Sequence, residues 1–111
     1  MDGAYMSDTI VRMPPYSLEA EQSVLGSMMI DKEAIAAASE ILTSDDFYSD
    51  GHKEIYNAIL SMYEQGEPVD LITLTETLRQ RGTLEGIGAA YITELSMVVP
   101  STANVKYYIR I

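Results

Sequence analysis

What most constrains the fold of this chain is how closely its helix starts and stops follow one another. Pro14-Pro15, Pro68 and Pro100 interrupt any helix that reaches them, and Gly66 and Gly82 sit where helices end. Ser17, Asp31, Ser49-Asp50 and Ser101 stand where helices begin. Four segments carry most of this pattern: PPYSLEAEQSVLG at Pro14–Gly26, DFYSDGHKEIYNAI at Asp46–Ile59, GEPVDLITL at Gly66–Leu74 and VPSTANVKYY at Val99–Tyr108. Each reads as a helix with its start signal or its connecting turn. A chain divided in this way forms an all-α fold, a compact bundle of about six short helices around one core.

The apolar spacing assigns the elements. Ser17 caps a first helix, Leu18–Ile30, with Glu19 and Glu21 in its first turn near the positive end of the helix dipole and Val24, Leu25, Met28 and Met29 on one face. Asp31 caps a second helix over Lys32–Leu42, and Thr43–Asp46 is a turn. Phe47 and Tyr48 are expected to plug the core. The third helix starts at Asp50 or Gly51. Its stripe of Ile55, Ile59 and Met62, flanked by Tyr56, Leu60 and Tyr63, is wide enough to make it the central element. Gly66 takes the position after its end. Val69–Thr75 has strand-like β-branched content, but Leu71, Leu74 and Leu78 keep helical spacing and Thr73 with Glu76 reads as a capping box, so a helix closed by Gly82 is preferred. Thr83–Gly88 is a turn-rich connection. A fifth helix runs from Ala89 to Val98 and packs Ile92 and Leu95. A sixth starts at Ser101 and carries Val105, Tyr108 and Ile109. Its pattern is still running at Ile111, which reads as a fragment of a longer chain.

Composition limits the chemistry. One domain fits 111 residues, and a chain of this length buries roughly 65% of its unfolded surface. There is no cysteine, so disulfides, thiolate metal sites and cysteine nucleophiles are excluded, in keeping with a cytoplasmic protein. No apolar run approaches the ~18 residues of a membrane span. Residues 1–13 read as a loose tail and not as a secretory signal. The net charge is −10 from 7 basic and 17 acidic residues. The cations are scattered, with only Arg79 and Arg81 near a cluster, so strong direct binding to nucleic acid is not expected. The acidic surface fits a basic protein partner, although such a surface usually serves only to keep a domain soluble.

No reactive cluster stands out. His52 is the single histidine. Its neighbours Asp50 and Glu54 do not share a helix face with it, and Ser49 and Asp50 serve better as capping residues, so it reads as a first-turn structural or surface residue. Asp45, Asp46 and Asp50 lack the calcium-loop pattern and read as helix-capping residues. Gly86-Ile87-Gly88 precedes a helix but has neither a strand before it nor a lysine, so it is a plain turn and not an anion site. Met28 and Met62 belong to the core; Met29 and Met97 have a weaker claim to it and could instead join a docking surface. No residue is assigned to catalysis, to a cofactor or to a metal.

PPYSLEAEQSVLG, followed in order by DFY…H…IY…AI, GEPVDLITL, LRQRGTLE, AAYITEL and VPSTANV, resembles the N-terminal domain of the bacterial replicative DNA helicases, the DnaB family. The likeness covers Pro14 to the end of the chain. It implies a helical collar domain, residues 14–111, ahead of a helical hairpin, a linker and an ATPase domain that would hold ATP and magnesium. No GxxxxGK[ST] phosphate loop occurs in this sequence. The resemblance further implies hexamer organisation with neighbouring helicase subunits, docking of the C-terminal domain of the primase, and a helicase loader as a further partner. By its motifs, Glu19 in SLEAEQ and Tyr91 in AAYITEL match interaction-surface positions; the plain reading of the same residues is a dipole-favouring glutamate and a half-buried core tyrosine. Tyr107 and Tyr108 fall where the domain would pass into the hairpin, as a second candidate contact. One departure is local: a Gly-Gly pair common in the family is split here as Gly86 and Gly88. Two rival readings follow from the residues alone, a free-standing helical adaptor or inhibitor that imitates the collar, and a small hydrolase using His52.

Overall fold

The chain's structure, a computed structural model, is described for residues 17–97. It contains α1 (Leu18–Ile30), α2 (Lys32–Ile41), a 3-10 turn (Ser44–Asp46), α3 (Asp50–Glu64), α4 (Leu71–Gln80), α5 (Leu84–Ile87) and α6 (Ala89–Met97), with no strand among the described residues. The expected sixth helix from Ser101, with Tyr107 and Tyr108, lies outside those residues, as does the tail of residues 1–13.

Caps set the boundaries. The Ser17 hydroxyl accepts the Ala20 N–H at 3.2 Å and starts α1. Asp31 ends one helix and starts the next: its N–H donates to the Ser27 carbonyl at 2.9 Å, while its carboxylate accepts the Glu33 N–H at 2.8 Å. Ser49 caps α3 by accepting the His52 N–H at 3.3 Å. Beyond the end of α3, Gly66 adopts φ +76°, and the Glu67 N–H returns to the Met62 carbonyl at 2.9 Å. This is the glycine-dependent Schellman closure, which a residue with a Cβ adopts only under strain.

Four expectations about element boundaries and side-chain direction change. Thr73 and Glu76 do not form the capping box. Asp70 is the N-cap of α4, its carboxylate accepting the Thr73 N–H and the Thr73 hydroxyl accepting the Asp70 N–H, both at 2.9 Å. The box therefore sits three residues earlier, because the extended Asp70 offers its carboxylate directly to the first-turn amides. The Thr83–Gly88 connection contains the one-turn helix α5, which Gly88 ends at φ +95°. The second helix closes one residue early, with Leu42 as its C-cap. The fourth change concerns Tyr48. Phe47 is buried, but Tyr48 is 61% exposed, because the two follow each other on extended backbone and point to opposite sides.

The core is apolar and shared between two helices. α1 contributes Val24, Leu25, Met28 and Met29; α3 contributes Ile55, Tyr56, Ile59 and Met62. α3 is thus not the sole centre, since α1 buries residues around most of its circumference. Ile35 and Ala38 of α2, Leu74 and Leu78 of α4, and Ile92 and Leu95 of α6 close the sides. Met29 is in the core with Met28 and Met62, whereas Met97 is 70% exposed. Phe47 stacks at a tilt on Tyr56, ring centroids 4.9 Å apart. The Tyr56 hydroxyl donates toward the carbonyls of Leu42 at 2.8 Å and Ala38 at 3.2 Å, where α2 ends. Burial, with a smaller contribution from the Asp46 charge, pushes its phenol up to about 12.

Two predictions follow from this packing. Phe47→Ala should cost about 3–5 kcal/mol and Tyr48→Ala under about 1 kcal/mol in denaturant unfolding, despite their adjacency. Tyr56→Phe should cost about 1–2 kcal/mol by stranding the Leu42 carbonyl. Because the folded phenol titrates above its ordinary value of 10.0, the wild type loses stability as pH rises from 10 toward about 12. The Phe variant should lack that alkaline loss in urea midpoints measured across the range.

Candidate docking cleft and its family

Three buried or half-buried polar groups meet where α1, α3 and α6 converge. Glu21 lies three and four residues before Val24 and Leu25, on the same buried stripe of α1. His52 bears the same relation to Ile55 and Tyr56 on α3. Tyr91, next to the buried Ile92, enters from α6. The Glu21 and His52 side chains are only 1% and 2% exposed. Glu21 Oε1 is 2.7 Å from His52 Nδ1, and His52 Nε2 is 2.6 Å from the Tyr91 hydroxyl. The His52 and Tyr91 rings lie nearly parallel with centroids 5.8 Å apart. Gln22 Nε2 donates to the Tyr91 oxygen at 3.1 Å.

The donors and acceptors run in one direction. Gln22 Nε2–H donates to the Tyr91 oxygen; with the His52 ring in its Nδ1–H tautomer, the Tyr91 O–H donates to Nε2 and Nδ1–H donates to the acceptor-only Glu21 carboxylate. Glu21 also receives the Tyr48 N–H at 2.7 Å and, more weakly, the Ser49 N–H at 3.5 Å. A buried carboxylate left unpaired would be severely destabilising, and these donors are what make the site tolerable.

This network backs a cleft of about 580 Å³ whose walls include Leu18, Tyr48, Ser49, His52, Ile87 and Tyr91. Leu18 is 48% exposed there, and Tyr48 and Tyr91 give it an aromatic lip. Asp50 also lines it, and Glu19 is exposed on the first turn of α1. Of the sequence-derived candidates, Tyr91 is half-buried in the cleft wall and Glu19 lies at the surface; Tyr107 and Tyr108 are outside the described residues. Of the two readings, structural or surface, His52 is the buried structural one, and its ring nitrogens bond Glu21 and Tyr91 from distant elements, while only its backbone N–H goes to the neighbouring Ser49. Glu21, read from sequence as a dipole partner only, is the residue that was missed. Its signal was a charged side chain on an apolar stripe.

Several other charged residues have identified partners away from the cleft. Asp46 accepts the Thr43 N–H at 2.8 Å and so caps the 3-10 turn, as its reading required, and Asp50 is the first residue of α3 behind the Ser49 cap. Asp45 is exposed. Among the described residues no three acidic, histidine or cysteine side chains gather to hold a metal. Arg79 pairs with Glu76. Arg81 grips Glu54 with two nitrogens, at 2.5 and 3.1 Å, and Thr83 adds a hydroxyl to the same carboxylate at 2.9 Å. The closest pair of cations is thus already engaged by glutamates.

A model of the DnaB-like helicase N terminal domain matches residues 13–111. The chain belongs to that family. It is 50% identical over 101 residues to the replicative DNA helicase DnaB of Geobacillus stearothermophilus and 46% identical over 101 residues to the replicative DNA helicase DnaC of Bacillus subtilis (strain 168), covering 90% of this chain in each case. It spans 22% of the length of each of those relatives. The crystal structure of the N-terminal domain of DnaB helicase from Mycobacterium tuberculosis superposes with a TM-score of 0.81 at 46% identity, over 88% of this chain and 69% of that one. The fold expected from the resemblance is therefore the fold found. No described helix is long and apolar enough to cross a membrane.

The Glu54 contact yields an acid-stability prediction. The Arg81 hydrogen bond first, then Thr83 and the Arg81 charge, outweigh burial and hold the Glu54 carboxyl below its ordinary 4.5. A depressed carboxyl stabilises the fold above its unfolded value and loses that contribution as pH falls through the folded one. Glu54→Gln should therefore flatten the stability decline of the wild type below about pH 4.5, with under about 1 kcal/mol lost at neutral pH because the pair is partly solvated. Urea midpoints at a series of acidic pH values check both.

Proposed function

We propose that this chain is the non-catalytic assembly and docking domain of a hexameric replicative DNA helicase. The observation that carries the reading is the identity of 46–50% to replicative helicases over 101 residues, together with the match of the family to residues 13–111. The same identity favours this reading over a free-standing adaptor that imitates the collar. Unwinding and ATP hydrolysis, with magnesium, belong on this reading to other parts of such a helicase. This domain contributes surface.

Its mechanism is geometric. The cleft between α1, α3 and α6 offers an aromatic lip at Tyr91, an apolar wall at Leu18 and Ile87, and an acidic group at Asp50, while Glu19 is exposed on the first turn of α1. In a chain of net charge −10, such a cleft suits an apolar anchor flanked by basic side chains. The C-terminal domain of the primase is the proposed occupant, with a helicase loader as a further partner and neighbouring subunits organised through other faces of the same bundle. Occupancy of the cleft would then bias the ring to which the domain is attached.

The test is a binding titration of this chain with the C-terminal domain of the cognate primase. Tyr91→Ala should weaken binding by ~2 kcal/mol, roughly thirtyfold, with helicity retained by circular dichroism. Affinity unchanged in that variant would end the docking reading, and loss of the fold would return Tyr91 to a purely structural role.

A further inference from the structure

The cleft has an uncommon support. Tyr48, Ser49 and His52 each hydrogen-bond directly to Glu21, and Tyr91 is reached through His52. Four wall residues, carried by two helices and the loop between the 3-10 turn and α3, are thus referred to one carboxylate on a third helix. Glu21 and His52 are themselves almost inaccessible, so a ligand entering the cleft meets chiefly what they hold and hardly the holders.

We infer that Glu21 and His52 are positioning residues that set the orientation of Tyr91 and the Tyr48–Ser49 backbone before any partner arrives. The inference rests on the docking reading for what enters the cleft, but the arrangement itself rests on distances within this chain. A buried polar chain of this kind is costly unless every member is satisfied, and apolar residues of similar volume would hold three helices together at least as well. What apolar packing cannot do is fix a hydroxyl. The one-way order of donors does so: the Glu21 carboxylate, which only accepts, keeps a proton on His52 Nδ1, Nε2 is then the acceptor for the Tyr91 O–H, and Gln22 donates to the Tyr91 oxygen. A side chain held in its bound orientation loses less freedom on association, so the relay raises affinity without touching the ligand.

Two measurements on the 111-residue chain test this. Nitrogen NMR of the free wild type should show a single His52 tautomer with its proton on Nδ1, and Tyr91→Phe, which keeps the ring and removes only the hydroxyl, should shift the Nε2 signal. In primase titrations Glu21→Gln and Tyr91→Phe should each weaken binding about fivefold to tenfold, through ordering costs reintroduced at the cleft. The double variant should be close to the weaker single variant, because both cut one chain. Effects that multiply, or a wild-type histidine that mixes tautomers, would overturn the positioning role while leaving docking intact. If Glu21→Gln fails to fold, the tautomer and the Tyr91→Phe titration still decide: wild-type affinity in Tyr91→Phe together with a large loss in Tyr91→Ala rejects the relay. Indifference of the primase to Tyr91→Ala sinks the docking reading instead, and the tautomer in the free chain then judges the relay alone.

Discussion

A carboxylate sealed inside a helical bundle has to find donors, and Glu21 finds them in places that tie the molecule together. Its oxygens accept from the backbone that leads into α3 and from the first-turn histidine of α3 itself, and through that ring they reach α6. The Tyr48 and Ser49 amides have no helix of their own to bond within, since they precede α3, so Glu21 also satisfies backbone that would otherwise be hard to bury. This contact adds to the apolar stripe below it in placing α3 against α1. Phe47, immediately before, can then drop into the core onto Tyr56, and the Tyr56 hydroxyl can reach the end of α2. The order of packing runs outward from one charged group.

This arrangement explains why a fold built from short helices is well defined. Among the described residues no helix is long enough to be stable alone, the longest being 15 residues. Side-chain caps close the starts of α1, α2, α3 and α4, and left-handed glycines close the ends of α3 and α4. Caps set where each helix begins and ends; the apolar stripes set which way it faces; the polar chain sets how α1, α3 and α6 lie relative to one another.

Most of the fold was readable from residues that act locally. Ser17, Asp31 and Gly66 do what their neighbours in sequence say they do, because caps and turns involve partners within a few positions. The Thr73 box was misplaced by three residues for the same reason: both Asp70 and Thr73 are competent caps, and only the extended backbone at Asp70 decides between them. Tyr48 was misjudged because hydrophobicity does not tell which of two consecutive aromatics faces inward. The site was harder. His52 reaches Glu21 across 31 residues and Tyr91 across 39. Spacing along one helix carries no information about such partners, although the three polar residues falling on otherwise apolar stripes marked the places where α1, α3 and α6 would need one another. The family resemblance supplied Tyr91 as a surface residue, and the fold adds what stands behind it.

Asp31 joins α1 to α2 with nothing to spare. One residue, with φ −144° and ψ 112°, closes the first helix through its amide and opens the second through its carboxylate. There is no slack in such an elbow: the crossing angle of the two rods is written into a single pair of torsions, braced from both sides. Two helices so joined share one hinge, and the residue that closes the Glu21-bearing helix is the same one that opens the next.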